Sequence, residues 1–278
     1  MVRRILLPLD SSPYTDAALE MSCHIAKATG AEIKGLAVLD IPGIERSVGS
    51  VPLGGIYYAD RIIEAKKVEA VEHVTKLLEK FKEKCRQKEV SYRISEQQGS
   101  PSSVIIDKSI YFDLVVAGMR TFYQHEPDEV GISIEKVLGS TVTPIMAVPK
   151  GFTAPDHKVK VVLAFDASQP AARAMHRFAQ LVDTAQFEVK IIRAGGEKPD
   201  ADYCLTRAKY FLEAHGFEDV QTEWTPLNPI DAIKEKYLDW AEAFVLGVHS
   251  KHGLLDFMVG SLSRFLMAEG RKIVLLGQ

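Results

Sequence analysis

VRRILLPLDSSPYTDAALEMSCHIAKATG, residues 2 to 30, sets a pattern that the rest of the chain repeats. Val2 to Pro8 (VRRILLP) is a short run of β-favouring composition. Asp10, Ser11 and Ser12 follow, residue types whose side-chain oxygens accept the unpaired N–H groups of a helix start. In TDAALEMSCHIAKATG the apolar residues then recur at helical spacing up to Gly30, a residue suited to the left-handed turn that ends a helix. The unit predicted is strand, capped helix, glycine stop.

Beyond it the sequence predicts a strand over 32–39, a glycine- and proline-bearing stretch over 41–55, a long amphipathic helix over about 60–89 and a strand over 90–95. Gly99, Ser100 and Pro101 open a helix reaching about Ile110, DLVVAG (113–118) is an apolar strand, 132–138 is helical, and PIMAVP (144–149) closes the set. Strands that alternate with helices require crossover connections, and so a parallel sheet covered on both faces. The outer positions of the 60–89 helix carry lysine and glutamate, as expected of a helix packed on a core by its apolar stripe.

GFTAPDHK (151–158) has no periodicity and reads as a linker, after which the pattern restarts. VKVVLAFDAS (159–168) echoes RRILLPLDSS (3–12), AEAFVLG (241–247) echoes YFDLVVAG (111–118), and RKIVLLG (271–277) echoes TPIMAVP (143–149). Two α/β domains follow, 1–150 and 158–278. The second copy runs from its second strand (187–193) to its second helix (about 202–215) without a counterpart of the 41–55 insertion.

Composition excludes several classes. The formal charge of −3 gives no basic field to recruit nucleic acid or an anionic membrane surface. Cysteines stand only at 23, 85 and 204, without CxxC spacing, which argues against a disulfide framework and a zinc site. The apolar N-terminal run is too short for a signal peptide, and no stretch of about 18 apolar residues occurs, so a cytoplasmic protein is expected. There is no Walker lysine, no paired carboxylates and no nucleophile beside a base, so no catalytic residues are assigned. The acidic loop with Glu126, Asp128 and Glu129 reads as a solvated charge cluster, and Trp224 and Trp240 as packing residues.

The chemistry-bearing stretch is GVHSKHGLLDFMVGS (247–261). Gly247 ends a strand of a parallel sheet, where ligands of such sheets gather. Gly260 and Ser261 precede the helical run LSRFLMAE, placing N–H groups and a hydroxyl at a helix start where an anion binds. Charge-assisted bonds of roughly 1.5–3 kcal/mol each are strong enough, three or four together, to hold a triphosphate. The same glycines also read as a strand end, a loop turn and a plain helix cap.

Gly247, two residues, Ser250, nine residues, Gly260, Ser261 resembles the glycine motif G-x2-G-x9-G-(S/T) of the universal stress protein family, with one departure at Ser250. Strand-Asp-x-Ser opens each half (Asp10 to Ser12, Asp166 to Ser168), so the resemblance covers nearly the whole chain as a tandem pair. It implies two doubly wound, Rossmann-like five-stranded sheets of order 3-2-1-4-5 flanked by helices, whose closing strands pair across a pseudo-twofold axis. It also implies a regulatory or protective, non-enzymatic role in stress response and an adenine-nucleotide ligand: ATP, or AMP or ADP, with Mg as companion ion. A homodimer is a further expectation, and a structural module of two degenerate halves that needs no nucleotide is the alternative.

By that resemblance Asp166 meets the ribose or adenine side, with Ala164 beside it, and Ala194 lines the base. Gly247, His249, Ser250, Gly260, Ser261, Leu262 and Ser263 surround ribose and phosphates. Asp166 also reads simply as a helix cap, and His249 as a solvated loop residue. In the first half Gly118 and Gly131 keep the spacing, but Thr121 replaces a glycine, Ile132 replaces the hydroxyl residue, and the loop acids repel phosphate. Pro8, Asp10 and Val38 still match base-side positions, so the first half is the weaker candidate.

Overall fold

The computed structural model describes residues 1–49, 55–120, 137–248 and 260–277. The first half contains β1 (Arg4–Leu9), α1 (Pro13–Thr29), β2 (Glu32–Leu39), α2 (Ile41–Ser47), α3 (Ile56–Gln87), β3 (Tyr92–Gln98), α4 (Pro101–Ser109), β4 (Leu114–Gly118) and β5 (Ile145–Val148). The second contains β6 (Val159–Ala164), α5 (Gln169–Leu181), β7 (Phe187–Ala194), α6 (Lys198–Ala214), β8 (Asp219–Thr225), α7 (Pro229–Ala232), which runs into a π-helical turn (Ile233–Tyr237), then β9 (Ala243–Gly247), α8 (Ser261–Glu269) and β10 (Ile273–Gly277).

The opening stretch folds as its residues dictate. Ser12 caps α1 by accepting from the Tyr14 N–H, and Gly30 ends it at φ 71°. The strands run β3-β2-β1-β4-β5-β10-β9-β6-β7-β8. Each half therefore has the order 3-2-1-4-5, parallel throughout. The halves meet at one antiparallel pair, β5 with β10, in which Met146 faces Leu275. Each closing strand covers the other's open edge and leaves β3 and β8 as the outer edges. One apolar layer, with α1 and α5, fills one face of the sheet; another, including Tyr237 and Leu266, fills the other.

Three features were not read from the sequence. Within the 41–55 stretch lies α2, which Asp40 starts by accepting from the Gly43 N–H at 2.9 Å and which Ile44 pins beneath Ala70 of α3. β8 and α7 carry too little period to stand out among polar residues. α3 is core-packed mainly from its middle onward, through Ala70, Val74, Leu78, Phe81 and Cys85, while Tyr57, Tyr58, Ile62 and Val68 in its first half are exposed beside the buried Ala59. The helical reading of 132–138 lies mostly outside the described residues, as do the acidic loop and residues 249–259. Trp224 donates to the Gly195 carbonyl at 3.2 Å, and Trp240 lies under the Lys190 ammonium at 4.5 Å, both packing contacts.

The linker is tied down by ionic contacts of His157 with Glu242 and of Lys158 with Asp219. His157 Nε2 lies 2.8 Å from Glu242 Oε1, and the other Glu242 oxygen accepts from the Lys160 N–H at 3.0 Å. The Glu242 carboxylate, with Asp156 behind it, raises His157 above its ordinary value of 6.5. Burial opposes ionisation of Glu242, but the Lys160 N–H and His157 outweigh it and hold the carboxyl below its usual range. Because the histidine is raised in the folded state, its stabilisation is full below pH 6.5 and fades as pH climbs through the raised value. An NMR titration of His157 is expected to give a midpoint above 6.5 that drops on Glu242→Gln; an unchanged midpoint would remove the contact from the linker's anchoring.

Candidate functional site

At the C-terminal end of β6 the chain passes through Phe165, Asp166 and Ala167 before Ser168 starts α5. Ser168 Oγ accepts from the Ala171 N–H at 3.3 Å, and Asp166 Oδ1 accepts from the Ser168 N–H at 2.9 Å. Asp166 thus braces the capping serine rather than capping the helix itself, and its side chain remains exposed. Ala167 takes φ 66°, a left-handed conformation that costs a non-glycine residue about 1 kcal/mol or more and marks a turn the surroundings enforce.

This turn forms one wall of a cavity of about 200 Å³. Ala164, Asp166, Ala194, Gly247, Gly260, Ser261, Leu262 and Ser263, drawn from four separate stretches of sequence, all line it. Ile192, Leu246 and Pro229 add apolar surface that the motif did not name. His249, Ser250 and Gly131 lie outside the described residues.

The opposite wall is the start of α8. Gly260 takes the cap position without a side chain to satisfy the helix, and the N–H groups of Ser261, Leu262 and Ser263 have no acceptor among the described residues. Such a turn carries the positive end of the helix dipole. By contrast α5, which opens on the same cavity, has a side-chain cap, Ser168, that takes up the Ala171 N–H of its first turn. A Cβ built on Gly260 would meet nothing within 4 Å, so packing does not demand glycine there.

Gly247 is a different case. A Cβ on it would stand 2.3 Å from the Pro170 carbonyl carbon and 2.5 Å from the Ala171 nitrogen. Its absent side chain therefore lets the first turn of α5 rest on the end of β9. Gly118 does the same for α1, where a Cβ would come within 2.4 Å of Tyr14 Cβ. Close helix–strand approach is a role the motif reading, which looked toward a ligand, did not assign.

The first half differs where its aspartate stands. Asp10 is 4% exposed, and its Oδ1 accepts from the Ser12 N–H at 3.2 Å, the Ser12 hydroxyl at 2.8 Å and the Thr15 hydroxyl. The residue matching Thr15 is Ala171, which has no hydroxyl to offer Asp166. Pro8 is buried in β1 and Val38 half-buried in β2, whereas the smaller Ala164 and Ala194 leave room in the second half. Gly118 is buried at the end of β4. Arg120, two residues on, reaches across to donate to the Ala268 carbonyl at 2.8 Å, near the C-terminal end of α8, where a cation is favoured.

The model of the universal stress protein family matches residues 1–149, more than half of the chain. The chain belongs to the universal stress protein family. It is similar to Universal stress protein Slr1230 of Synechocystis sp., 24% identical over an alignment of 276 positions that covers 94% of each chain. It is also similar to Universal stress protein YxiE of Bacillus subtilis, 28% identical over 151 residues that cover 53% of this chain and 99% of the other. The crystal structure of a universal stress protein from Archaeoglobus fulgidus superposes with a TM-score of 0.73 at 21% identity, covering 99% of this chain and 98% of that one, and so shares the fold over its whole length. Among the described residues of this universal stress protein, no helix is long and apolar enough to cross a membrane.

Proposed function

We propose that this universal stress protein is a cytoplasmic, regulatory binder of an adenine nucleotide, held by the second half and not turned over as an enzyme substrate. The observation that carries the reading is the first turn of α8, whose N–H groups find no acceptor among the described residues, facing an open Asp166 across one cavity. A polyanion belongs at the N–H groups of Ser261, Leu262 and Ser263, whereas a carboxylate belongs away from phosphate and beside sugar hydroxyls, which donate to it. A ligand with phosphates at one end, a ribose in between and a flat apolar base against Ala164 and Ala194 satisfies both walls at once. Mg would accompany a triphosphate, and His249 and Ser250 would add contacts from the adjoining loop. In the first half, the hydroxyls of Ser12 and Thr15 already occupy Asp10, so that half contributes scaffold.

The alternative, a structural module that needs no nucleotide, draws on the continuous sheet and on Arg120 joining the halves. Calorimetry with ATP on the full chain separates the two. One nucleotide per chain is expected; two equal sites, or no heat at millimolar ATP, would overturn the proposal.

A further inference from the structure

A second cavity lies away from the proposed nucleotide site. It has a volume of about 380 Å³, within the range of small-molecule sites, roughly 300–1,000 Å³. It exists because of how the halves join. α1 packs over β1, β4 and part of β5, and α5 over β9 and β10, so the β5–β10 seam runs between the two helices on that face. Met146, Leu275 and Ile273 form the floor, Ile25 and Leu181 the walls, and Phe152 of the linker reaches in from above. Although they stand at the centre of the molecule, Met146, Ile273, Ile25, Leu181 and Phe152 are only half-buried. Apolar area left in contact with water costs roughly 25 cal/mol per Å², so an apolar occupant is favoured there.

The charges at the mouth select its other end. Lys150 and Lys272 border the cavity and have no ionic partner among the described residues. Of the acids nearby, Glu242 holds the Lys160 N–H and His157, while Asp183 accepts from the Ala185 N–H at 3.3 Å and keeps a charge with no ionic partner among the described residues. Arg271 is paired with Glu269. What remains is an apolar chamber bordered by two ammonium groups and one carboxylate, Asp183, none with an ionic partner among the described residues, so the unpaired charge at its border is net positive. We infer that this cavity binds an amphipathic carboxylic acid, its alkyl chain along the seam between α1 and α5 and its carboxylate at Lys150 and Lys272.

Decanoate and decanol, titrated into the full chain by calorimetry, test this independently of the nucleotide site. Saturable binding of one decanoate per chain is expected, unchanged by saturating ATP. The double variant Lys150→Glu, Lys272→Glu should weaken decanoate about tenfold or more through loss of the charged contacts, and leave decanol within about twofold. Met146→Trp fills the floor and should abolish binding of both. Ile25→Trp does the same from the wall if the first variant melts early. Absence of saturable decanoate binding at millimolar concentration overturns the inference, as does an unaltered affinity in the lysine variant. Competition by ATP would move the acid to the Asp166 cavity and also overturn it. So would a dimer in solution that Met146→Trp dissociates, because a second copy of the chain would then be the occupant.

Discussion

Ser261→Asp is expected to weaken ATP binding about 100-fold or more while leaving the melting temperature unchanged or slightly raised. The two effects separate because the same charge acts oppositely on helix and ligand. A carboxylate in the first turn of α8 complements the helix dipole and stabilises a helix that lacks a side-chain cap by about 0.3–1 kcal/mol. Toward a phosphate about 4 Å away it is repulsive by about 4 kcal/mol at an effective dielectric near 20, and it competes for the N–H groups that the phosphate needs. Calorimetric titration beside a thermal melt reads both quantities. Retained ATP affinity in a folded variant would mean that phosphate does not sit at this helix start, and the nucleotide reading of the second half would fail with it.

That this prediction can be made from Ser261 shows where sequence is informative. Short-range chemistry was readable. Ser12 caps α1 within the polar run expected to start it, and Gly30 ends α1 in the left-handed turn for which glycine is suited, whereas in the second half the cap falls on Ser168 and not on the Asp166 read as a cap. The repeated strand-Asp-x-Ser pattern led to two like halves, and the strand order 3-2-1-4-5 in each half followed from the family the motif resembles. What depends on contacts between distant residues was not readable. α2 forms because Asp40 caps it and Ile44 finds Ala70, which stands 26 residues further on in α3.

The difference between Asp10 and Asp166 is of the same kind. Both stand in identical motifs, and what distinguishes them is a hydroxyl five residues later, Thr15 against Ala171, which matters only once the helix start folds back on the aspartate. The cavity over the seam has no local signature, since its walls come from residues as far apart as Ile25 and Ile273. Arg120 stands at an unspecified position of the degenerate glycine motif, to which the motif assigns no role. Its contact with Ala268 belongs to the pairing of the halves and could not be seen from either half alone.

The two glycines that frame the proposed site are expected to behave unlike each other, although the motif treats them alike. Gly247→Ala forces a methyl group against main-chain atoms of Pro170 and Ala171, at separations of 2.3 to 2.6 Å that no rotamer change relieves. Either α5 lifts from β9 or the strand end shifts. Such overpacking costs about 3 kcal/mol, and at about 2–4 °C per kcal/mol for a chain of this class the melting temperature should fall by about 6–12 °C. Gly260→Ala meets open space at a φ of −56°, and the small loss of cap preference is offset by reduced freedom of the unfolded chain, so its melt should stay within about 2 °C of the parent. Differential scanning calorimetry of the two variants decides the matter. If Gly247→Ala melts with the parent, the helix does not rest on the strand end as closely as the structure places it. Ligand contact would then be left as the reason for glycine at that position.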